Sequence, residues 1–199
     1  MSASDPSPLP QPPQQPSPQT LSERLGGINI YLVGMMGAGK SSVGRPLADA
    51  LGYRFVDADQ VLEQAAGRSI PEVFRIDGEA GFRELEASVL ARISAWHSLV
   101  VATGGGVVLR RENWGQLQQG VVVWLDAPLP LVLERLNADP TPRPLMQASP
   151  DPARSLAELM AQRRPLYAQA DLQIEQDGRP AGAVAQQVLE ALPGVLKER

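Results

Sequence analysis

Ile28-Asn-Ile-Tyr-Leu-Val-Gly34-Met-Met-Gly-Ala-Gly-Lys-Ser41 decides the fold. Its first six residues are a short, largely β-branched run, and the next eight complete the pattern G-x-x-x-x-G-K-[ST]. A helical pattern opens at Lys40, so the stretch reads strand, glycine-rich loop, helix. Glycines let successive backbone N–H groups turn toward one concavity, and the helix directs its dipole at the same point. Such a loop binds polyphosphate mainly through main chain. Gly37, Ala38, Gly39, Lys40, Ser41 and Ser42 are therefore the expected nucleotide contacts, with Lys40 a mobile charge and Ser41 a hydroxyl for Mg²⁺. Lys40 is one of only two lysines among 18 basic residues, the other being Lys197.

Outward from this stretch, apolar runs alternate with helical patterns. The runs Ile28–Val33, Tyr53–Val56, Leu99–Ala102, Val121–Leu125 and Leu172–Ile174 are continuous rather than alternating, as expected for strands covered on both faces. Helices are expected over Lys40–Leu51, Ile70–Trp96, Arg111–Gln118, Leu129–Asn137, Ser155–Ala170 and Pro180–Leu192. Arg135, within the fourth of these, is given no role. Alternation of this kind predicts an α/β domain with a five-stranded parallel sheet between helical layers, covering residues 25–192. Residues 138–154 carry five prolines and Arg143 with little periodicity, the pattern of a functional loop, here a Pro-rich lid. Residues 1–22 are expected to be a disordered tail, because seven prolines and four glutamines in the first 20 positions leave little to bury. Residues 193–199 are expected to be a flexible C-terminus.

The composition excludes several chemistries. The 199 residues contain no cysteine and a single histidine, His97, which rules out thiolate zinc, iron–sulfur and cysteine-nucleophile sites and any site with two imidazoles. A bound metal would sit on oxygen ligands. A net charge of −4 argues against nucleic acid as the main partner. No apolar run approaches the roughly 20 residues of a membrane span, and the N-terminal stretch lacks the features of a secretory or transit signal. A cytoplasmic monomer is the expectation. Without a guanine-reading N-K-x-D motif, an adenine nucleotide is the expected phosphate donor, and the small domain with a lid points to γ-phosphoryl transfer to a small acceptor.

Three clusters offer an acceptor site. Asp57-Ala-Asp59 places two carboxylates at the carboxyl end of the second strand, where open α/β sheets bind ligands. One is suited to hydrated Mg²⁺ and the other to an acceptor hydroxyl; the plain alternative, a pair capping the next helix with Asp59 as N-cap, loses weight beside a P-loop. Thr103-Gly104-Gly105-Gly106 permits close backbone approach by a ligand or simply makes a tight turn. Glu79 and Arg83, spaced i,i+4, could pair on a solvated helix face. Arg163, in Arg163-Arg-Pro-Leu-Tyr167, could equally be a surface charge.

In order and spacing, Gly34–Ser41, Asp57-x-Asp59, Ile70-x-Glu-x-Phe with Gly78-Glu and Phe82-Arg83-x-x-Glu86, Thr103-Gly-Gly-Gly106, Arg143-Pro-Leu and Glu158-Leu-x-x-x-Arg163-x-Pro-Leu-Tyr167 resemble the shikimate kinases. The resemblance spans about residues 25–192. It implies a three-layer P-loop kinase with an acceptor-binding helical region at about 59–90, using ATP and Mg²⁺ to phosphorylate the 3-hydroxyl of shikimate on the route to chorismate. By motif match, Asp59, Arg83, Gly104, Gly105, Gly106 and Arg163 hold shikimate, the two arginines taking its carboxylate as planar forks. Asp59 takes the reacting proton, and Asp57 acts on Mg²⁺ through water. Arg143 closes over the phosphates, and Arg179 lies on the adenine side. A gluconate or nucleoside-monophosphate kinase, or a silent nucleotide-binding relative, are the competing readings. Loss of Lys40, Ser41, Asp59 or an acceptor arginine would mark the silent relative, and none is lost.

Overall fold

The computed structural model describes residues 18–139 and 151–196. Five strands, β1 Ile30–Val33, β2 Arg54–Asp57, β3 Leu99–Ala102, β4 Val121–Asp126 and β5 Leu172–Glu175, form one parallel sheet in the order β2-β3-β1-β4-β5. Parallel strands need crossovers, and the described residues supply eight α-helices for them and for the termini. These are α1 Pro18–Leu25, α2 Lys40–Leu51, α3 Ala58–Ala66, α4 Ile70–Ser94, α5 Arg111–Leu117, α6 Leu129–Ala138, α7 Pro152–Tyr167 and α8 Ala181–Ala191. The chain leaves β1 in one direction to reach β2 and then returns through β3, β4 and β5. Right-handed crossovers therefore put α2 on one face of the sheet and α4 and α5 on the other. α2 packs against α1 and α8, and α4 against α5.

The central strands β1 and β3 are wholly buried, which explains their unbroken apolar sequence. Register aligns the carboxyl ends. Asp57 pairs with Ala102, and Leu32 with both Ala102 and Val123, so the loops after β1, β2 and β3 emerge side by side. Thr103 fastens two of them: its amide and its hydroxyl both donate to Leu32 O, at 3.1 and 2.9 Å. At the opposite end Asn29 ties β1 to β3, donating to Trp96 O at 2.7 Å and accepting from Leu99 N at 3.0 Å.

Three expectations about the chain's ends and helices need correction. The tail boundary at residue 22 is too late, because Pro18–Leu25 is helical and Leu21 and Leu25, one turn apart, are 2% and 1% exposed. Two leucines at i,i+4 suffice to dock an eight-residue helix, a signal hidden by its neighbours' composition. The C-terminus is packed beyond residue 192: Leu192–Gly194 makes a 3₁₀ turn, and Val195 and Leu196 lie against the core. The helix expected over Ile70–Trp96 ends at Ser94 and changes direction at Gly78, whose φ of 69° and ψ of −176° no L-residue adopts comfortably. Residues 1–17, most of the lid expected at 138–154 including Arg143, and residues 197–199 lie outside the described residues.

Candidate active site

The loop from Gly34 to Gly39 folds around its own ammonium. Lys40 Nζ donates to Gly34 O at 2.8 Å and Met35 O at 2.9 Å, which holds the charge at the mouth of the loop. Gly39 precedes α2 in the left-handed region, at φ 89°. From α6, Arg135 Nη1 donates to Gly37 O at 3.1 Å, so a guanidinium to which the sequence assigned no role lies across the P-loop. A hollow of about 520 Å³ opens here, lined by the loop with Lys40, Ser41 and Ser42, and by Arg135, Gln176 and Arg179. Arg179 is braced by Asp177, to which it donates from Nε at 2.8 Å and from Nη2. That pairing holds the exposed Asp177 carboxyl well below the usual carboxylate range.

The two strand-end carboxylates are not equivalent. Asp57 is the N-cap of α3, accepting from Asp59 N at 3.1 Å and Gln60 N at 3.4 Å through Oδ1. Its other oxygen, Oδ2, accepts from Ser41 Oγ at 2.6 Å. The alternative reading, with Asp59 as the capping residue, is thus excluded: an i,i+2 pair does not reveal which carboxylate begins the helix. Capping by Asp57 leaves the Asp59 carboxylate to line both the nucleotide hollow and its neighbour.

That neighbour, of about 490 Å³, is lined by α3, α4, the Thr103–Gly106 turn and α7. Arg83 enters from α4, 7% exposed, and Arg163 from α7, 3% exposed. Neither is the surface charge that the plainer readings allowed. Arg83 donates to Glu86 Oε2 at 2.8 Å and to Glu79 Oε1 at 3.2 Å. Of the two partners Glu86 is buried and Glu79 is exposed, so the expected i,i+4 pair exists but the i,i+3 pair is the enclosed one. The spacing Arg83-x-x-Glu86 was the signal for it. Burial pushes the Glu86 carboxyl up, against the opposing pull of Arg83. The glycine turn is required by these neighbours: a Cβ on Gly106 would fall 2.0 Å from Arg83 Nη1, and one on Gly104 would fall 2.6 Å from Glu86 Oε1.

Arg83 Nε, Arg163 Nε and Glu86 Oε1 are buried with no hydrogen-bond partner among the described residues. Buried polar atoms in native structures are nearly always satisfied, so three such atoms around one hollow point to a polar ligand. The two hollows share Met36, Ser41, Asp57, Asp59, Gly105 and Asp139. A polyphosphate on the P-loop and an anionic acceptor on the arginines would therefore meet at Asp59.

Comparison with known proteins agrees with this arrangement. The family model described as shikimate kinase matches residues 36–193. The chain belongs to the shikimate kinase family. A shikimate kinase of Synechococcus sp. (strain RCC307) is 58% identical over 185 residues, 93% of this chain and 94% of that protein. One of Prochlorococcus marinus (strain MIT 9313) is 52% identical over 183 residues, 92% and 95% of the two chains. Among solved structures, the shikimate kinase from Acinetobacter baumannii in complex with shikimate superimposes with a TM-score of 0.82 at 40% identity, covering 87% of this chain and 97% of that one. A gluconokinase from Sinorhizobium meliloti, at 18% identity and a TM-score of 0.55, shares the fold alone. The five-stranded P-loop kinase expected from the sequence is thus the one observed.

Proposed function

We propose that this member of the shikimate kinase family transfers the γ-phosphoryl group of ATP to the 3-hydroxyl of shikimate, giving shikimate 3-phosphate and ADP. The observation that carries the reading is the pair of buried arginines facing a P-loop across Asp59. An acceptor bound there must be anionic and must present a hydroxyl toward the nucleotide. Arg83 and Arg163 take the carboxylate, and the main chain of Gly104, Gly105 and Gly106 lies close against the ring. Asp59 orients the 3-hydroxyl and accepts its proton as the oxygen attacks the γ-phosphorus and the bond to the β-phosphate breaks. The P-loop amides and Lys40 follow the charge that moves onto the phosphoryl and leaving oxygens. Arg143, outside the described residues, is assigned to the same charge from the lid, and Arg179 to the adenine side.

The donor set suits Mg²⁺, which retains water and takes few protein ligands beside phosphate oxygens. No group of three or more His, Cys, Asp or Glu side chains is placed to hold a metal ion by itself among the described residues, but a metal hydroxyl ligand and a carboxylate stand 2.6 Å apart in Ser41 and Asp57. Ser41 would hold the ion directly and Asp57 through water, and the ion would neutralise β,γ-phosphate charge. No described helix is long and apolar enough to cross a membrane. A monomer is assigned because, among the described residues, Ile76, Trp96 and Leu109 are the large apolar side chains left exposed, too few for an extended apolar patch. The decisive experiment is ADP release measured with shikimate, gluconate and nucleoside monophosphates in turn. Turnover with shikimate alone is expected, and turnover with either of the others but not with shikimate would overturn the reading.

A further inference from the structure

Two side chains of one helix donate to the same carbonyl. Arg163 Nη1 reaches Gly105 O at 3.2 Å, and the Tyr167 hydroxyl donates to the same oxygen. The residues are one turn apart on α7 and share its inner face. Tyr167 is 2% exposed and its ring stacks on Trp124 with centroids 5.9 Å apart. Its hydroxyl also lies 3.5 Å from Met35 Sδ in the P-loop. Burial pushes its pKa up to about 12, against the pull of Arg163, so it remains a proton donor at any ordinary pH. The transfer chemistry above makes no use of it.

A carbonyl has two lone pairs and can accept both donors. The donors differ in what else they can do. Tyr167 has one proton and a ring clamped on Trp124, whereas Arg163 has five N–H groups and faces the acceptor hollow. Gly105 is half-buried between the two hollows, and stripping its carbonyl of both protein donors is unfavourable, which would hold Arg163 on Gly105 if Arg163 were the only donor. We propose that Tyr167 is a positioning residue for the acceptor: by keeping Gly105 O satisfied, it releases the Arg163 guanidinium to the acceptor carboxylate. The proposal rests on the reading of Arg163 as a carboxylate-binding residue.

Tyr167→Phe keeps the ring and its stacking and removes only the donor. In initial-rate assays on the full chain, the KM for shikimate should rise roughly 5- to 10-fold, the worth of about one hydrogen bond. The KM for ATP and kcat should stay within about twofold, a split that general loosening of the fold would not produce. In an Arg163→Lys background, adding Tyr167→Phe should leave the KM for shikimate nearly unchanged, because no guanidinium remains to be released. Independent, multiplying effects in the double variant would overturn the proposal, as would equal rises in both KM values. A Tyr167→Phe chain without a cooperative melting transition would overturn it too, by making the hydroxyl a folding determinant. If Arg163→Lys leaves the KM for shikimate untouched, the acceptor-site reading itself fails. If Arg163→Lys raises it and Tyr167→Phe does not, only the positioning role fails.

Discussion

An ammonium resting on two carbonyls of its own loop contributes little to the core, so Lys40→Ala should melt as the parent does. Its turnover should fall by about 10²–10³ or more, the usual loss when a preorganised charge is withdrawn from a transition state. Melting curves alongside kcat check both halves. Asp57 and Asp59 separate in a different way. Asp59→Asn removes the proposed proton acceptor and should cut kcat by roughly 10²–10⁴ with a normal Mg²⁺ requirement. Asp57→Asn keeps an oxygen for the α3 cap, where asparagine is as good as aspartate, so stability should hold while more Mg²⁺ is needed for half-maximal rate. Titrating both variants with Mg²⁺ at saturating ATP and shikimate decides the assignment, and indistinguishable curves would refute it. At this scale the sequence placed the charged residues of the two hollows better than it paired them. Asp57-x-Asp59 announced two carboxylates at a strand end, but only backbone geometry determines which of them caps. Glu86 and Arg135 went without roles because their partners, Arg83 and the Gly37 carbonyl, are chosen by how α4 and α6 pack.

The turn after β3 shows how an element can be shaped by its neighbours. Gly106 needs no unusual dihedral, with φ −99° and ψ 0°, yet its missing side chain is where the Arg83 guanidinium lies. Gly106→Ala should therefore displace Arg83, raising the KM for shikimate at least about tenfold with little change in that for ATP. Equal changes in both constants would show that the turn, rather than the arginine, had moved. The same reasoning explains which elements were legible. Strands β1, β3 and β4 are buried on both faces, and their apolar runs mark β3 at both ends, β4 one residue short and β1 two residues early. Helix α3 was expected only as part of a helical region at about 59–90 and was given no bounds of its own, because its nine residues bury only Leu62, too little periodicity to delimit it. Helix α4 was read as one element because it holds two glycines, Gly78 and Gly81, and only the backbone shows that the direction changes at Gly78.

For the molecule as a whole, the order of motifs along the chain was enough to identify the architecture, since the P-loop, Asp57-x-Asp59 and Thr103–Gly106 follow three parallel strands in turn and the arginine motifs lie on the helices between and after them. The margins were not legible, because a short amphipathic helix adjoining a proline-rich stretch shares its composition. Helix α1 gives that failure a measurable size. Burying Leu21 and Leu25 contributes up to about 1.5–3 kcal/mol each, and about 2–4 °C of Tm accompanies each kcal/mol in a chain of this length. A chain starting at residue 26 should therefore melt several degrees below one starting at residue 18, and equal melting temperatures would mean that α1 does not dock.

Because the two hollows share a wall instead of lying apart, one molecule can bridge them. A carboxylated ring tethered by a short spacer to an adenosine polyphosphate would engage the arginines and the P-loop together. Once either end had bound, the other would meet its hollow at a local concentration in the millimolar range. Its dissociation would then require both ends to let go at once, which converts two modest affinities into one long residence time.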